Sequence, residues 1–311
     1  MKGYRDIAGD GGSNILEQVL AQQARLAARM ASIHASVAVV SGKGGVGKSS
    51  VTANLAAALA SDGLQVGVLD ADLNGPSMAK MLGVRGQTLQ VEPDGVRPAV
   101  SASGIRILSM DLLLPGDDTP VVWEAPTQAE AHTWRGAMEG TALREFLTDT
   151  AWGALDVLLI DLPPGADRLP TLLDLLPGLT GAVVVTIPSA VSHLVVRRAM
   201  TLARERGARL LGLVENMAGY ACPTCGTVGP LFEGPGGEMT AAQHGVPFLG
   251  RVPFDPRLAA AADRGRPFVL DHGETPAGLA LTGIAGALAR AVLPARELPR
   301  DGEDAGAGSS R

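Results

Sequence analysis

The chain has few aromatic residues, few lysines and few cysteines, and each shortage limits what it can be. Aromatic side chains make up 3% of the 311 residues, so alanine, valine and leucine must build most of the core. Hydrophobic residues reach 46%, which is enough for a sizeable core in one large domain or two ordinary ones. The two cysteines lie together in one short motif, Cys222 to Cys225, which limits any thiol chemistry to that place.

Several targeting and binding signals are also missing. The first residues, MKGYRDIAGDGG, lack the apolar core of a signal peptide. No apolar run approaches the roughly 20 residues that a membrane-spanning helix needs. No basic stretch suggests a nucleic-acid footprint, and the net charge is −6. We therefore expect a cytoplasmic protein that binds neither nucleic acid nor membrane.

Lysine is scarce, and its distribution marks one loop. Of the 26 basic residues only four are lysines, and two of these, Lys43 and Lys48, fall within residues 42–50. This segment reads GKGGVGKSS and fits the phosphate-binding pattern G-x-x-x-x-G-K-[ST] from Gly42 to Ser49. Because arginine is the usual surface cation in this chain, two lysines in one loop indicate a specific use of the slim ammonium group.

The flanks of this loop predict the setting that the motif needs. Residues 37–41 read as a buried strand and residues 48–61 as a helix, although an ordinary glycine-rich turn is the alternative. Loop glycines let backbone N–H groups approach phosphate oxygens, and the helix N-terminus adds positive potential. Lys48 is expected to reach the β- and γ-phosphates, and the hydroxyl of Ser49 to bind Mg²⁺. The predicted nucleotide-binding residues of this segment are Gly42, Lys43, Gly44, Gly45, Val46, Gly47, Lys48, Ser49 and Ser50.

Carboxylates stand at the ends of two predicted strands. Asp161 closes the apolar run 155–160 and is predicted to hold Mg²⁺, usually through water. Asp70 and Asp72 end the strand after the first helix. Asp72 is the candidate for orienting the attacking water, and Asp70 for supporting the Mg²⁺ shell or the local fold. The alternative for Asp72 is the start of a turn, and the two roles are compatible.

Short apolar strands alternate with helical segments along the chain. This pattern predicts an α/β fold of the P-loop NTPase type, with a mostly parallel sheet and helices on both faces. Strands are predicted at 37–41, 65–70, 104–109, 155–160, 181–187, 209–214 and 248–252, and a hairpin near Pro93-Asp94-Gly95. Helices are predicted at 48–61, 137–149, 190–206, 237–244, 256–263 and 276–293.

The predicted organisation has three parts. Residues 1–34 form a tail and an amphipathic helix, for which Ser13 is the expected N-cap. Residues 35–293 form the ATPase domain, which includes a cysteine loop at 218–237. Residues 294–311 are rich in Pro, Gly, Ala and acidic side chains, and they are expected to be disordered.

The cysteine pair lies in the segment CPTCG at 222–226. Such a pair can chelate a metal, form a redox disulfide or arise by coincidence. Its place in a Gly/Pro-rich loop from 217 to 237, with no helix directly after it, favours a metal over a thioredoxin-type site. Two thiolates are half of a four-ligand set, and His193 and His244 are not at ligand spacing. A second copy of the chain would complete the set, which predicts a homodimer bridged by zinc or an iron–sulfur cluster.

Together these motifs resemble the Mrp-type iron–sulfur carrier ATPases, within the deviant-Walker group that includes MinD, ParA and the nitrogenase iron protein. The similar segments run from about Val37 to Pro267, and CPTCG separates Mrp-like proteins from MinD and ParA. They are GKGGVGKSS at 42–50, DADLNGPS at 70–77, WRGAM at 134–138, DVLLIDLPPG at 156–165, VENM at 214–217, CPTCG at 222–226 and GVPFLGRVPFDPRL at 245–258.

The resemblance implies a homodimeric ATPase that binds ATP with Mg²⁺ and carries an iron–sulfur cluster. Cys222 and Cys225 of each copy would donate half of a bridging [4Fe–4S] site, held labile so that the cluster passes to apo-proteins. An assembly scaffold and the apo client proteins are the implied partners.

The resemblance also assigns roles around the nucleotide. Lys43 would contact the phosphates across the dimer interface and would act in catalysis together with Lys48 and Asp72. Asn216 would read the adenine base, for which an ordinary strand-end turn is the plain alternative.

The chain departs from the family pattern at two places. The usual Thr-Gly-Asp after the Pro-Pro-Gly turn is Ala166-Asp167-Arg168, which bears on the γ-phosphate switch. Ten extra residues, EAPTQAEAHT, separate Val122-Trp123 from the WRGAM segment. Neither change removes a P-loop residue or a cysteine. Two alternatives stay open: a MinD- or ParA-like positioning ATPase, which the acidic composition disfavours, and an ATPase switch with a structural zinc site.

Overall fold

The computed structural model describes residues 15–294, apart from 115, 117, 118, 120, 122–130, 166, 233 and 235. The predictions for residues 1–14, including the Ser13 cap, and for the tail at 295–311 therefore lie outside the described residues. Most of the extra segment after Val122-Trp123 also lies outside the described residues. The same is true of residue 166, the first of the three residues that replace the family's Thr-Gly-Asp.

The described strands form one large sheet and one small hairpin. The strands are β1 Ile33–Ser41, β2 Val66–Asp70, β3 Gln90–Glu92, β4 Gly95–Arg97, β5 Ala99–Val100, β6 Arg106–Leu108, β7 Leu155–Asp161, β8 Gly181–Thr186, β9 Leu210–Ala221, β10 Val228–Gly229 and β11 Phe248–Phe254. The large sheet runs in the order β10-β9-β8-β1-β7-β2-β6-β5, and β11 also pairs with β9. Its strands are parallel except β10 and β5, while β3 and β4 form the separate hairpin.

Helices connect the strands and cover the sheet. They are α1 Ile15–Met30, α2 Lys48–Ser61, α3 Met78–Met81, α4 Ala131–Asp149, α5 Arg168–Leu175, α6 Ala190–Glu205, α7 Gly237–Gln243, α8 Arg257–Asp263, α9 Phe268–His272 and α10 Pro276–Val292, with a 3₁₀ turn at Met110–Leu112. The predicted α/β fold with a mostly parallel sheet is confirmed.

The central strand β1 shows why its sequence is apolar throughout. Val37 and Val39 pack into one hydrophobic layer with α2 and α10, whereas Ala38 and Val40 pack into the other with α4, α5 and α6. A strand covered on both faces has no solvent side, so its residues are continuously apolar instead of alternating. The core thus consists of two layers, one on each face of the sheet.

The predicted elements are present, with differences at several ends. α4 begins at Ala131, six residues before the predicted start, and β9 continues to Ala221, seven residues past its predicted end. α3, α5 and α9 were not predicted. Helix α5 carries Pro170 in its first turn, where a missing N–H costs little, so the proline there does not prevent a helix. The predicted hairpin near Pro93 is confirmed by the pairing of β3 with β4.

The strand order places three polar side chains at one edge of the sheet. β1, β7 and β2 are parallel neighbours, and they end at Ser41, Asp161 and Asp70. Asp70 and Asp161 are direct partners in the β2–β7 register. The N-terminus of α2 follows β1 at this same carboxyl edge, which is where ligands bind in open parallel sheets.

Candidate functional site

The phosphate loop joins β1 to α2 and needs glycine at two positions for its backbone. Gly45 and Gly47 both have φ of 78°, in the left-handed region. At Gly47, which caps α2, an added Cβ would lie 2.2 Å from Nδ2 of Asn216. No larger residue fits there, so the loop keeps its N–H groups close to any bound anion.

Two polar groups of α2 converge on one buried carboxylate of β7. The Nζ of Lys48 lies 2.5 Å from Oδ2 of Asp161, and the Ser49 hydroxyl donates to the same oxygen at 2.7 Å. Lys48 is 6% exposed and Asp161 is fully buried, so this ion pair is held away from water. A buried pair keeps its stability only with further hydrogen bonds to its oxygens.

Thr52 supplies one of those bonds, although it was not among the residues predicted from the sequence. Its hydroxyl donates to Oδ1 of Asp161 at 2.6 Å, and the residue is completely buried. Thr52 lies three residues after Ser49 on the same helix, so both side chains face β7. Helical spacing from Ser49 was the signal that could have found it.

The donor set fits a hard divalent cation. A serine hydroxyl and a carboxylate, 2.7 Å apart beside a glycine loop, are oxygen ligands of the kind that Mg²⁺ prefers. Ser49 and Asp161, the two predicted Mg²⁺ ligands, are the residues that would hold it, and the structure brings them together. Ser50 lies in the first turn of α2, where its carbonyl accepts from Asn54.

Asp70 is fully buried at the end of β2 and organises the local fold. Its Oδ2 accepts from the backbone N–H groups of Ser77 and Met78, at 2.8 and 3.0 Å, and from the Ser109 hydroxyl at 3.0 Å. Burial, and then the nearby charge of Asp161, raise the pKa of Asp70 to about 7. Of the two roles considered for this residue, the structure provides the contacts of the fold-supporting one.

Asp72 lies just past the end of β2 and is half-buried. Its Oδ1 accepts from the N–H of Gly75 at 3.2 Å, so the side chain starts a turn, as the alternative interpretation expected. Lys43 is also half-buried in the phosphate loop, where its carbonyl accepts from the Ser41 hydroxyl at 3.0 Å.

Glu139 on α4 joins the two loops that flank this site. One carboxylate oxygen accepts from Asn74 at 2.7 Å, and the other lies 3.2 Å from a guanidinium nitrogen of Arg168. Asn74 follows Asp72, and Arg168 begins the helix after the Pro-Pro-Gly turn. Glu139 was not predicted from the sequence, because its partners lie far from it along the chain.

Asn216 lies on β9 beside the phosphate loop, buried and in contact with it. Its Nδ2 donates to the carbonyl of Val46 at 2.9 Å. The next residue, Met217, has φ of 53°, which is the left-handed region and unusual for a residue with a side chain. The structure therefore brings Asn216 together with the P-loop residues and places a backbone irregularity next to it.

The cysteine pair forms the turn of a β-hairpin. The predicted Gly/Pro-rich loop from 217 to 237 was wrong at its start, because β9 runs on to Ala221 and pairs with β10. The N–H of Cys222 donates to Thr227 at 2.9 Å, and the N–H of Gly226 donates back to Cys222 at 2.8 Å. Gly226 has φ of 71°, so the turn places a glycine where the backbone requires one.

Both thiols are free, and Cys225 is exposed. The hydroxyl of Thr227, 3.3 Å from the sulfur, is the main cause that lowers the pKa of the Cys225 thiol, and this favours the thiolate that binds metals. Within the described part of the chain, no group of three or more His, Cys, Asp and Glu residues is arranged to hold a metal ion.

The predicted residues thus fall into two places. The P-loop residues, Asp161 and Asn216 meet at the carboxyl edge of the sheet, while the two cysteines lie in a hairpin beyond it.

Among the described helices, none has both the length and the apolar character required to span a bilayer.

Comparison with known proteins gives a family match over most of the chain. A ParA family model, described as NUBPL iron-transfer P-loop NTPase, matches residues 32–289. An iron-sulfur cluster carrier protein of Saccharolobus solfataricus is 45% identical over 270 residues, which cover 86% of this chain and 88% of the relative. The cytosolic Fe-S cluster assembly factor NUBP2 of Bos taurus is 42% identical over 261 residues, covering 82% and 92%.

Solved structures with a similar fold include nucleotide-binding proteins. A nucleotide-binding protein of Archaeoglobus fulgidus, solved in complex with ADP, has a TM-score of 0.67 and 35% identity, covering 78% of this chain and 91% of that one. The MinD cell division protein of Aquifex aeolicus has a TM-score of 0.56 at 21% identity, covering 82% and 96%, which shows a common fold and no more.

Proposed function

The chain belongs to the ParA family of NUBPL-type iron-transfer P-loop NTPases, and from this premise we propose that it is an ATP-hydrolysing iron–sulfur cluster carrier. It would work as a cytoplasmic homodimer that holds one [4Fe–4S] cluster between its copies and passes the cluster to apo-proteins. One observation carries the proposal: a single chain combines a phosphate loop with a buried Lys48–Asp161 pair and a C-x-x-C turn in which both cysteines are free and Cys225 is exposed.

The nucleotide part rests on the charges at the carboxyl edge. Lys48 would leave Asp161 for the β- and γ-phosphates when ATP enters, because the phosphates offer it more negative charge. Ser49 and Asp161 would then be free to hold Mg²⁺, which when bound neutralises charge on the phosphates. Lys43 would reach the phosphates of the partner copy, and Asp72 would orient the attacking water from its turn after β2.

The cluster part rests on an incomplete ligand set. Cys222 and Cys225 supply two thiolates, and an iron–sulfur cluster of this kind needs four. A second copy related by a two-fold axis would supply the other two. Exposed apolar side chains accompany the pair on the same hairpin segment, namely Tyr220, Val228, Leu231 and Phe232, and they support burial against another surface.

Exposure of the ligands also agrees with transfer. A cluster held at a surface turn by thiols on two separate chains can be approached by an acceptor protein, whereas a cluster buried in one core cannot. The homologue of Bos taurus is described as a cytosolic assembly factor, which supports the proposed cytoplasmic location. Residues 35–293 would form the ATPase domain, with the preceding helix packed on it through the buried side chain of Leu26.

Metal analysis after anaerobic purification tests this function. The spectrum and metal content are measured before and after reconstitution with iron and sulfide. A broad thiolate-to-iron absorption with about two irons per chain would match one four-iron cluster per dimer. About half a zinc ion per chain and no cluster uptake would overturn the carrier function and leave an ATPase switch with a zinc staple.

A further inference from the structure

Glu215 is a buried carboxylate that the function above does not use. It precedes Asn216 on β9 and is 2% exposed. One oxygen accepts from the backbone N–H of Gly237, the first residue of α7, and the other lies 3.1 Å from Nε of Arg251 on β11. A buried carboxylate is tolerated when both of its oxygens are paired, and these two contacts supply that pairing.

These contacts close the base of the cysteine hairpin segment. The chain continues along β9 to Ala221, turns at the cysteines, and returns to α7 at Gly237. Glu215 therefore joins the departing strand to the returning segment. At Gly237 an added Cβ would lie 3.1 Å from both Cβ and Oε1 of Glu215, so the closure is tight.

The same strand contacts the phosphate loop one residue further on. Asn216 donates to the carbonyl of Val46, and Gly47 lies so close that no Cβ fits between them. Cys222 is six residues from Asn216, at most about 20 Å along an extended strand. A movement of the phosphate loop would therefore displace Asn216, which is the direct neighbour of Glu215.

A second connection runs through α6. An added Cβ at Gly42 would lie 2.8 Å from Val195 on this helix, so α6 rests on the first glycine of the loop. His193 of α6 is buried, and its Nδ1 lies 2.6 Å from the Thr240 hydroxyl of α7. Its Nε2 makes no hydrogen bond but lies 3.9 Å from a carboxylate oxygen of Glu215, so the second connection ends beside the same side chain.

We propose that Glu215 is a positioning residue that transmits the nucleotide state of the phosphate loop to the geometry of Cys222 and Cys225. This inference rests on the proposed function, because it assigns the coupling between its two sites. Coupling of this kind requires a group whose contacts differ between two states. The Asn216–Val46 and Glu215–Gly237 bonds are adjacent on one strand, so a change in one displaces the other.

Thiol reactivity in the metal-free full chain tests the coupling without depending on a cluster. The rate of reaction of the cysteines with a chromogenic aromatic disulfide is measured with and without ATP–Mg²⁺. In the natural chain we expect ATP to change the rate by about fivefold or more, the usual lower range of allosteric coupling. In Glu215→Gln we expect the rate to be insensitive to ATP, while the affinity for a fluorescent ATP analogue stays close to that of the natural chain.

Two further variants keep the test decisive. Glu238→Gln removes the negative charge of the exposed partner of Arg251, 3.0 Å away, and leaves the buried pair, so the response to ATP should remain. If circular dichroism shows that Glu215→Gln is unfolded, Thr240→Val takes its place. It removes only the bond to His193 and should weaken the response.

A folded Glu215→Gln or Thr240→Val protein with the full response would overturn the inference. So would a natural chain that binds the ATP analogue but whose thiols do not respond, and this result would leave the carrier function intact. Failure to bind the analogue at all would instead overturn the ATPase part of the proposed function, and the coupling with it.

Discussion

The phosphate loop and the cysteine hairpin belong to the same sheet but are built in opposite ways. At the loop, Asp161 is fully buried and is contacted by Lys48, Ser49 and Thr52 of one helix. At the hairpin, Cys225 is exposed, and its sulfur contacts the hydroxyl of the exposed Thr227. The first site joins charged and polar side chains in a buried cluster, whereas the second holds two free cysteines in a hairpin turn. A substitution at the loop should therefore affect one chain's chemistry and stability, and a substitution at the hairpin should affect what that chain binds.

The largest effect is expected for Lys48→Ala. Removing the cation that stabilises the transferred phosphoryl group should lower the ATP hydrolysis rate by about 100-fold or more. The measurement is steady-state phosphate release. Lys80→Ala is the matched control, since Lys80 is an exposed lysine on α3, and its rate should match that of the natural chain. Unchanged hydrolysis in Lys48→Ala would contradict the assignment of the phosphate loop.

Cys222→Ser should abolish cluster binding but spare the other site. Iron content after reconstitution is expected to fall from about two irons per chain to near zero, because a bridging cluster loses one thiolate from each copy. Affinity for the ATP analogue should stay unchanged, since the phosphate loop is complete without the hairpin. Cys225→Ser serves as the replicate. Full iron content in either variant would place the metal elsewhere.

Asp70, which is buried near the phosphate loop, should make the free energy of unfolding depend on pH. Its pKa is about 7 in the folded chain and about 4 when unfolded, so the folded state binds the extra proton between these values. The stability it contributes is fully present below about pH 4 and is lost as the pH rises through about 7, by up to about 1.4 kcal/mol per pH unit. Asp70→Asn lacks this titration.

Urea midpoints of the nucleotide-free protein, measured at several pH values, test whether stability falls as the pH rises. Between about pH 5 and pH 7.5 the natural chain should lose stability relative to Asp70→Asn. A difference between the two proteins that does not vary with pH would show that the Asp70 carboxyl has an ordinary pKa.

Thr52→Val keeps the shape of the side chain but removes its bond to Asp161. Losing a hydrogen bond to a buried charged group should cost about 2 kcal/mol of unfolding free energy, measured by urea denaturation. The control is Thr201→Val on α6, an exposed threonine whose hydroxyl donates to Arg197 and whose loss should cost little. Equal effects of the two substitutions would mean that the Asp161 contact adds no stability.

Thr227→Val is the equivalent substitution at the cysteine hairpin, and we expect it to have the smallest effect of the five. Without the hydroxyl, the pKa of the Cys225 thiol rises toward its ordinary value, so less thiolate is present at pH 7. The reaction of the metal-free protein with an aromatic disulfide should slow modestly at pH 7, while the urea midpoint stays unchanged because the site is exposed. An unchanged reaction rate would show that this hydroxyl does not tune the thiol.

Short-range patterns determined much of this protein from sequence alone. The glycine and lysine spacing at 42–49 predicted a strand–loop–helix unit, and the structure has β1 and α2 at those positions. The apolar runs predicted the parallel strands, because burial on both faces leaves a continuous signature. The count of two cysteines in one motif predicted an incomplete ligand set, and this stays a prediction that metal analysis tests. Such features depend on residues that are close together along the chain, so they can be predicted from local sequence patterns.

The tertiary structure alone decided which distant side chains meet. The contacts of Asn216 with Val46 and of Glu215 with Gly237 join parts of the chain that no local pattern relates. The continuation of β9 to Ala221 was likewise decided by pairing with β10 and β11 and not by local propensity. Strand pairing and buried polar contacts are set by packing across the whole sheet, and a single sequence carries no local trace of them.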